Sequence, residues 1–123
     1  MVQAGVHPVL LIAPTSPDRR ISLISARSGG YIYYVSLRGV TGTRDRLPDD
    51  LATGIRRVRA LTDKPLAVGF GISTPAQAQA VAELADAVIV GSAVVAAVEQ
   101  SRGAHDLVNR VGGFVGSLRS AIG

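Results

Sequence analysis

Cysteine is absent from this 123-residue chain, so disulfides and thiolate metal sites are excluded and nothing argues for an oxidising compartment. Histidine occurs twice, at His7 and His105, and with the acids scattered the chain offers no metal-ligand spacing. Long hydrophobic runs are also missing. The longest, Val9 to Ala13 and Ala93 to Val98, are far too short to span a bilayer, and no basic stretch followed by an apolar one opens the chain as a secretory signal does. These absences point to a cytoplasmic protein with no membrane partner. Aromatics are few, three tyrosines and two phenylalanines, and they lie in apolar runs rather than among the arginines. The net charge of +4 comes from twelve arginines and one lysine spread over several helical stretches, which reads as solvated helix surface and not as a nucleic-acid face.

What is present suits one small globular domain covering residues 1–123: 47% hydrophobic and 18% charged residues. Pro8-Val-Leu-Leu-Ile-Ala13 is a continuous apolar run, the pattern of a strand covered on both faces. Ser16-Pro17-Asp18 predicts a helix start with Ser16 as cap, running to about Arg27 before Gly29-Gly30. Tyr31 to Ser36 is a second strand, followed by a Gly/Thr/Arg-rich segment from Leu37 to Pro48, long enough to suggest a functional lid. Leu51, Ile55, Val58 and Leu61 then fall at helical spacing opposite Arg56, Arg57 and Arg59. Leu66 to Phe70 is a third strand. Thr74 and Gln77 have capping-box spacing around Pro75, and Ala87 to Val90 is a fourth strand. Ala93 to Gln100 forms a short helix, and Leu107, Val111, Phe114 and Leu118 mark a last one, weakened by Gly112, Gly113 and Gly116. Strands and helices in alternation build a parallel sheet with right-handed crossovers. The expected fold is α/β: four parallel β-α units, half of a (β/α)8 barrel, with an additional C-terminal helix.

Three apolar runs end in small residues, at Gly39-Val-Thr-Gly42, Gly69-Phe-Gly-Ile-Ser-Thr74 and Gly91-Ser92. Each reads as a strand tip where glycine lets an anion approach and a following helix presents unpaired N–H groups. One glycine alone is an ordinary strand-to-helix turn; three tips on consecutive units resemble the phosphate face of a (β/α)8 barrel.

Tyr31-x-Tyr33-x-x-Ser36, Gly39-Val-Thr-Gly42, Gly69-Phe-Gly-Ile-Ser-Thr-Pro75 and Val90-Gly-Ser-Ala93, preceded by Leu11-Ile-Ala-Pro-Thr15, resemble the C-terminal half of the tryptophan synthase α-chain family, most strongly over residues 8–100. The resemblance implies a lyase of tryptophan biosynthesis. It splits indole-3-glycerol phosphate into indole and glyceraldehyde 3-phosphate by retro-aldol cleavage, needs no cofactor of its own, and hands indole to a pyridoxal-phosphate β subunit. It would place Gly42, Gly71, Gly91 and Ser92 around the phosphate, Tyr33, Thr41 and Phe70 along the indole and glycerol part of the pocket, and the 37–48 segment over the substrate. On residue chemistry alone, Tyr33 is equally a packed core aromatic, Thr41 has a second reading as a turn stabiliser, and Arg44 and Arg46 either steer a phosphate or, the favoured reading, solvate the lid.

Retro-aldol cleavage needs a proton donor and a base, usually positioned carboxylates. In the family these are a glutamate and an aspartate of the N-terminal half, which this sequence does not contain, so no catalytic residue is assigned. Asp86 precedes its strand at the wrong end, Asp45, Asp49 and Asp50 sit on the lid or the start of its helix, and Glu83 and Glu99 read as solvated. His7 precedes the first strand and His105 opens the last helix. The expectation is a half that binds phosphate but is inactive alone. The second reading is a non-catalytic half-barrel that binds a phosphate ligand or a partner. Four strands of an opened barrel also leave two unpaired edges and an apolar inner face, expected from Leu10, Ile12, Val35, Val68 and Ile89 or their neighbours, which predicts self-association.

Overall fold

The structure, a computed structural model, describes residues 4–35, 49–69 and 71–123. Its elements follow the expected order: β1 (Leu11–Ile12), α1 (Asp18–Arg27), β2 (Ile32–Val35), α2 (Asp49–Leu61), β3 (Leu66–Gly69), α3 (Pro75–Ala82), β4 (Ala87–Ile89), α4 (Ser92–Gln100) and α5 (Leu107–Ala121). All neighbouring strands pair in parallel, in the order β1-β2-β3-β4. This is half of a (β/α)8 barrel, with β1 and β4 as its edges among the described residues.

Register fixes which residues face the helices. Ile12, Tyr34 and Val68 lie side by side across three strands, as do Ile32 and Leu66 below them, and all five are buried in one core with Ile21 of α1, Leu51, Ile55 and Val58 of α2 and Val81 of α3. The opposite face carries Leu11, Tyr33, Ala67 and Ala87 in one row and Val35, Gly69 and Ile89 in the next, because successive strand residues alternate sides. Two of the residues expected on the inner face, Ile12 and Val68, are therefore on the helix face. The first strand is not covered on both sides either: Ile12 is 0% exposed and its neighbour Leu11 59%. An unbroken apolar run has no period-2 signal, so nothing local sets its parity; pairing with β2 does.

Helix ends show which side chains spend their hydrogen bonds on structure. Ser16 does not cap α1; Pro17 occupies the cap position without a side-chain bond, and Ser16 Oγ instead accepts the Ala13 N–H (3.2 Å) inside the preceding turn. At the other end of α1, Lys64 Nζ donates to the carbonyls of Ser25 and Ser28, the orphan acceptors of a helix C-terminus. The arginine face of α2 is used in part: Arg57 pairs with Asp18 and reaches Ser16 O (2.6 Å), tying α2 to the start of α1. Helix α5 runs unbroken through Gly112, Gly113 and Gly116, its Leu118 buried against the core.

Tyr34 reaches under α2 because Gly54 has no side chain: a Cβ there would sit 2.1 Å from the tyrosine hydroxyl. That hydroxyl is buried with no hydrogen-bond partner among the described residues. Desolvation pushes its pKa up, the charge of Asp50 adds to the rise, and Arg57 offsets part of it.

Candidate functional site

At the C-terminal end of the sheet a cleft of about 470 Å³ is lined by Tyr33 and Val35 of β2, Gly69 of β3, the Gly71–Ser73 turn, Ile89 of β4, and Gly91, Ser92 and Ala93 at the start of α4. Four of the seven residues expected at the site thus converge: Tyr33, Gly71, Gly91 and Ser92. Thr41, Gly42 and Phe70, with the whole 37–48 segment, lie outside the described residues.

Tyr33 belongs to the cleft rather than to the core beneath the helices. Its half-buried ring leans along the inner face over Gly69, where a Cβ would come within 2.3 Å of the hydroxyl and 2.8 Å of Cζ. Gly69 has no positive φ, so it is needed here for space and not for backbone freedom. Val35, two residues further along β2, and Ile89 of β4 lie on the same face on either side of Gly69, giving one apolar wall.

Two helices point their N-termini at the cleft, and the chain treats them differently. On α3, Thr74 Oγ1 accepts the Gln77 N–H (3.2 Å), while Gln77 Oε1 accepts the N–H groups of Ser73 (2.8 Å) and Thr74 (3.3 Å), completing the capping box that the sequence predicts. Pro75, the first helical residue, has no N–H to offer. On α4 the cap is Gly91, with no side-chain bond, and the helix begins at Ser92, one residue before the expected Ala93. Its first N–H groups, those of Ser92 and Ala93, are the ones a helix leaves without an intrahelical acceptor, and the helix dipole adds partial positive charge there. An anion in this cleft therefore finds its donors on α4, beside an exposed Ser92 hydroxyl.

No carboxylate or imidazole lines the cleft among the described residues. Asp86 is held at the opposite end of the sheet, where its carboxylate accepts the Leu66 N–H (2.8 Å) and pairs with Arg59 (3.1 Å). The backbone bond from Leu66 is the main reason its pKa is held below the ordinary value, with Arg59 contributing. His7 packs on Gly29, beyond the end of α1, again away from the cleft. Among the described residues no three His, Asp or Glu side chains converge as a metal site would require, and no helix is long and apolar enough to cross a membrane.

The model of the tryptophan synthase alpha chain family matches residues 1–122. The alpha chain of Geobacter sp. (strain M21) is 46% identical over 118 residues, covering 96% of this chain and 44% of that protein. The alpha chain of Lactiplantibacillus plantarum is 56% identical over 91 residues, covering 74% of this chain and 34% of its own length. Among solved structures, the alpha chain of Legionella pneumophila subsp. pneumophila superposes with a TM-score of 0.83 at 34% identity, covering 98% of this chain and 44% of that one. Tryptophan synthase from M. tuberculosis in its aminoacrylate-bound form gives 0.80 at 27% identity, with 99% and 42% covered. The chain spans less than half the length of these relatives. It belongs to the tryptophan synthase alpha chain family.

Proposed function

We propose, with that membership as premise, that this chain supplies the phosphate-binding half of a cytoplasmic lyase of tryptophan biosynthesis, which cleaves indole-3-glycerol phosphate to indole and glyceraldehyde 3-phosphate. The observation that carries the reading is the meeting of Tyr33, Gly71, Gly91 and Ser92 around one cleft at the uncapped start of α4. In this reading the phosphate sits on the Ser92 and Ala93 N–H groups, with Gly71 and Gly91 leaving room for its oxygens. The indole and glycerol portion lies along Tyr33, Val35 and Ile89. Gly42 joins the phosphate cradle, Thr41 and Phe70 the substrate pocket, and residues 37–48 the lid, as the family resemblance implies.

The cleft binds and orients; the proton transfers need an acid and a base that its described lining does not hold. We assign those to the glutamate and aspartate of the family's N-terminal half, and the acceptor of indole to a tryptophan synthase β subunit. The inner face of Leu11, Tyr33, Val35 and Ile89, with both sheet edges unpaired among the described residues, gives this chain a surface that a second half must close; alone in solution it does so by self-association. Sedimentation showing a compact monomer across micromolar concentrations would overturn the association.

Calorimetric titration with indole-3-glycerol phosphate and with glycerol 3-phosphate tests the site. Saturable binding of both, no indole release by the chain alone, and release on adding the family's N-terminal half is the expected pattern. A folded sample that binds neither ligand refutes the proposal.

A further inference from the structure

The two helix ends at the cleft are unlike in chemistry: on α3 the Thr74 hydroxyl takes up one N–H and Pro75 lacks another, and the Ser73 and Thr74 N–H groups are taken up by a single side chain, that of Gln77. Gln77 is 1% exposed. From one turn inside α3 its Oε1 takes up the Ser73 and Thr74 N–H groups, and the Ser73 hydroxyl lies 3.3 Å from the same oxygen. Ser73 itself lines the cleft. Without that acceptor the Ser73 and Thr74 amides would be free donors beside Gly71, and the cleft would present two competing anion-binding ends instead of one.

We infer that Gln77 is a positioning residue of the cleft: by closing the start of α3 it confines an anionic group to the start of α4. The inference rests on the phosphate reading given above and adds to it the device that decides between the two helix ends. A capping box accepts glutamate or glutamine at this position. The amide closes the terminus without placing a negative charge next to the anion, so the residue type fits the role as well as the geometry.

Amide chemical shifts of the full-length chain, followed during titration with glycerol 3-phosphate, test this. In the wild type the Ser92 and Ala93 amides should move on saturation while those of Ser73 and Thr74 stay still. Gln77→Leu keeps the side-chain volume and removes the acceptor; the Ser73 and Thr74 amides should then respond as strongly as those on α4. Gln77→Glu restores the acceptor and should return them to silence, while its charge weakens the affinity about tenfold. A purely structural cap would change the melting temperature of Gln77→Leu and leave the pattern of responding amides as in the wild type, which would overturn the inference. Equal responses at both helix ends in the wild type would overturn it as well. A wild type in which no amide responds refutes the phosphate reading itself, and this inference with it.

Discussion

Replacing Gly69 by alanine places a methyl group 2.3 Å from the Tyr33 hydroxyl, 2.8 Å from Cζ and 3.1 Å from Cε1. Contact at the hydroxyl oxygen and two ring carbons, all held in one rigid plane, can be relieved only if the whole ring leaves its place over β3. Overpacking of this kind costs about 1–3 kcal/mol. Against it stands a gain of roughly 0.4–1 kcal/mol, since the backbone of Gly69 is not in the left-handed region and alanine restricts the unfolded chain. The net expectation is a loss of about 1–2 kcal/mol, or a drop of roughly 4–8 °C in melting temperature. The sign should reverse once the ring is gone: in a Tyr33→Leu background, Gly69→Ala meets no ring and should stabilise by up to about 1 kcal/mol. Urea denaturation of the four proteins in this cycle gives a coupling of about 2 kcal/mol if the contact is the cause. Equal effects of Gly69→Ala in both backgrounds would refute the placement of Tyr33.

The same logic on the other face predicts that Gly54→Ala destabilises by about 1 kcal/mol through the Tyr34 hydroxyl 2.1 Å away, and that Tyr34→Phe, which removes that contact and leaves Cζ at 3.1 Å, shrinks the loss; thermal melts of the single and double variants check this. Lys64→Met removes two charge-assisted bonds to the end of α1 and should cost roughly 1.5–3 kcal/mol in urea titration; an unchanged midpoint would refute that clasp. Asp86 has a lowered native pKa, so its contribution to stability is present above the unfolded value of about 3.9 and is lost as pH falls through the native value. Asp86→Asn should therefore be less stable than wild type near neutrality, and the two should converge as pH is lowered past about 3.9 in pH-dependent melts.

The order of elements was readable because it depends on short-range signals. The capping box is four consecutive residues, Thr74-Pro75-Ala76-Gln77, and every atom it needs is local. The amphipathic stripe Leu51, Ile55, Val58 likewise carries its own period. What was not readable depends on partners distant in sequence. The side of the sheet taken by Ile12 follows from its register with Tyr34, and a Pro8–Ala13 run of apolar residues contains no alternation to disclose it. The diversion of Ser16 from cap to turn is a local competition instead: the hydroxyl has an acceptor role open to it three residues back, at the Ala13 N–H, as well as at the helix start. At the candidate site, glycines and small residues marked the ends of β3 and β4, while the Gly39–Gly42 segment lies outside the described residues. The capping-box spacing of Thr74 and Gln77 marked the closed end of α3, whereas the shared cleft that sets it beside the open end of α4 depends on strand pairing. Tyr33 stayed ambiguous in the sequence for a related reason: Gly69, on the next strand, is what gives its ring a place over the cleft.

In the proposed function, the two ends of the sheet divide stability from binding. Where the strands begin, polar groups are committed: Ser28 Oγ accepts the Leu10 N–H and donates to Tyr31 O, Asp86 accepts the Leu66 N–H, and Lys64 closes α1. Where β4 ends, α4 starts with no side chain closing it. Ser92→Asp sets these roles against each other. A carboxylate in the first turn of α4 interacts favourably with the helix dipole, worth about 0.3–1 kcal/mol, so the variant should melt no lower than wild type. The same carboxylate occupies the position proposed for the phosphate and repels it, so glycerol 3-phosphate binding should be lost. Lys64→Met should do the reverse, lowering stability while leaving the affinity of the folded protein unchanged. If Ser92→Asp binds the phosphate ligand as the wild type does, the start of α4 is not where the anion sits.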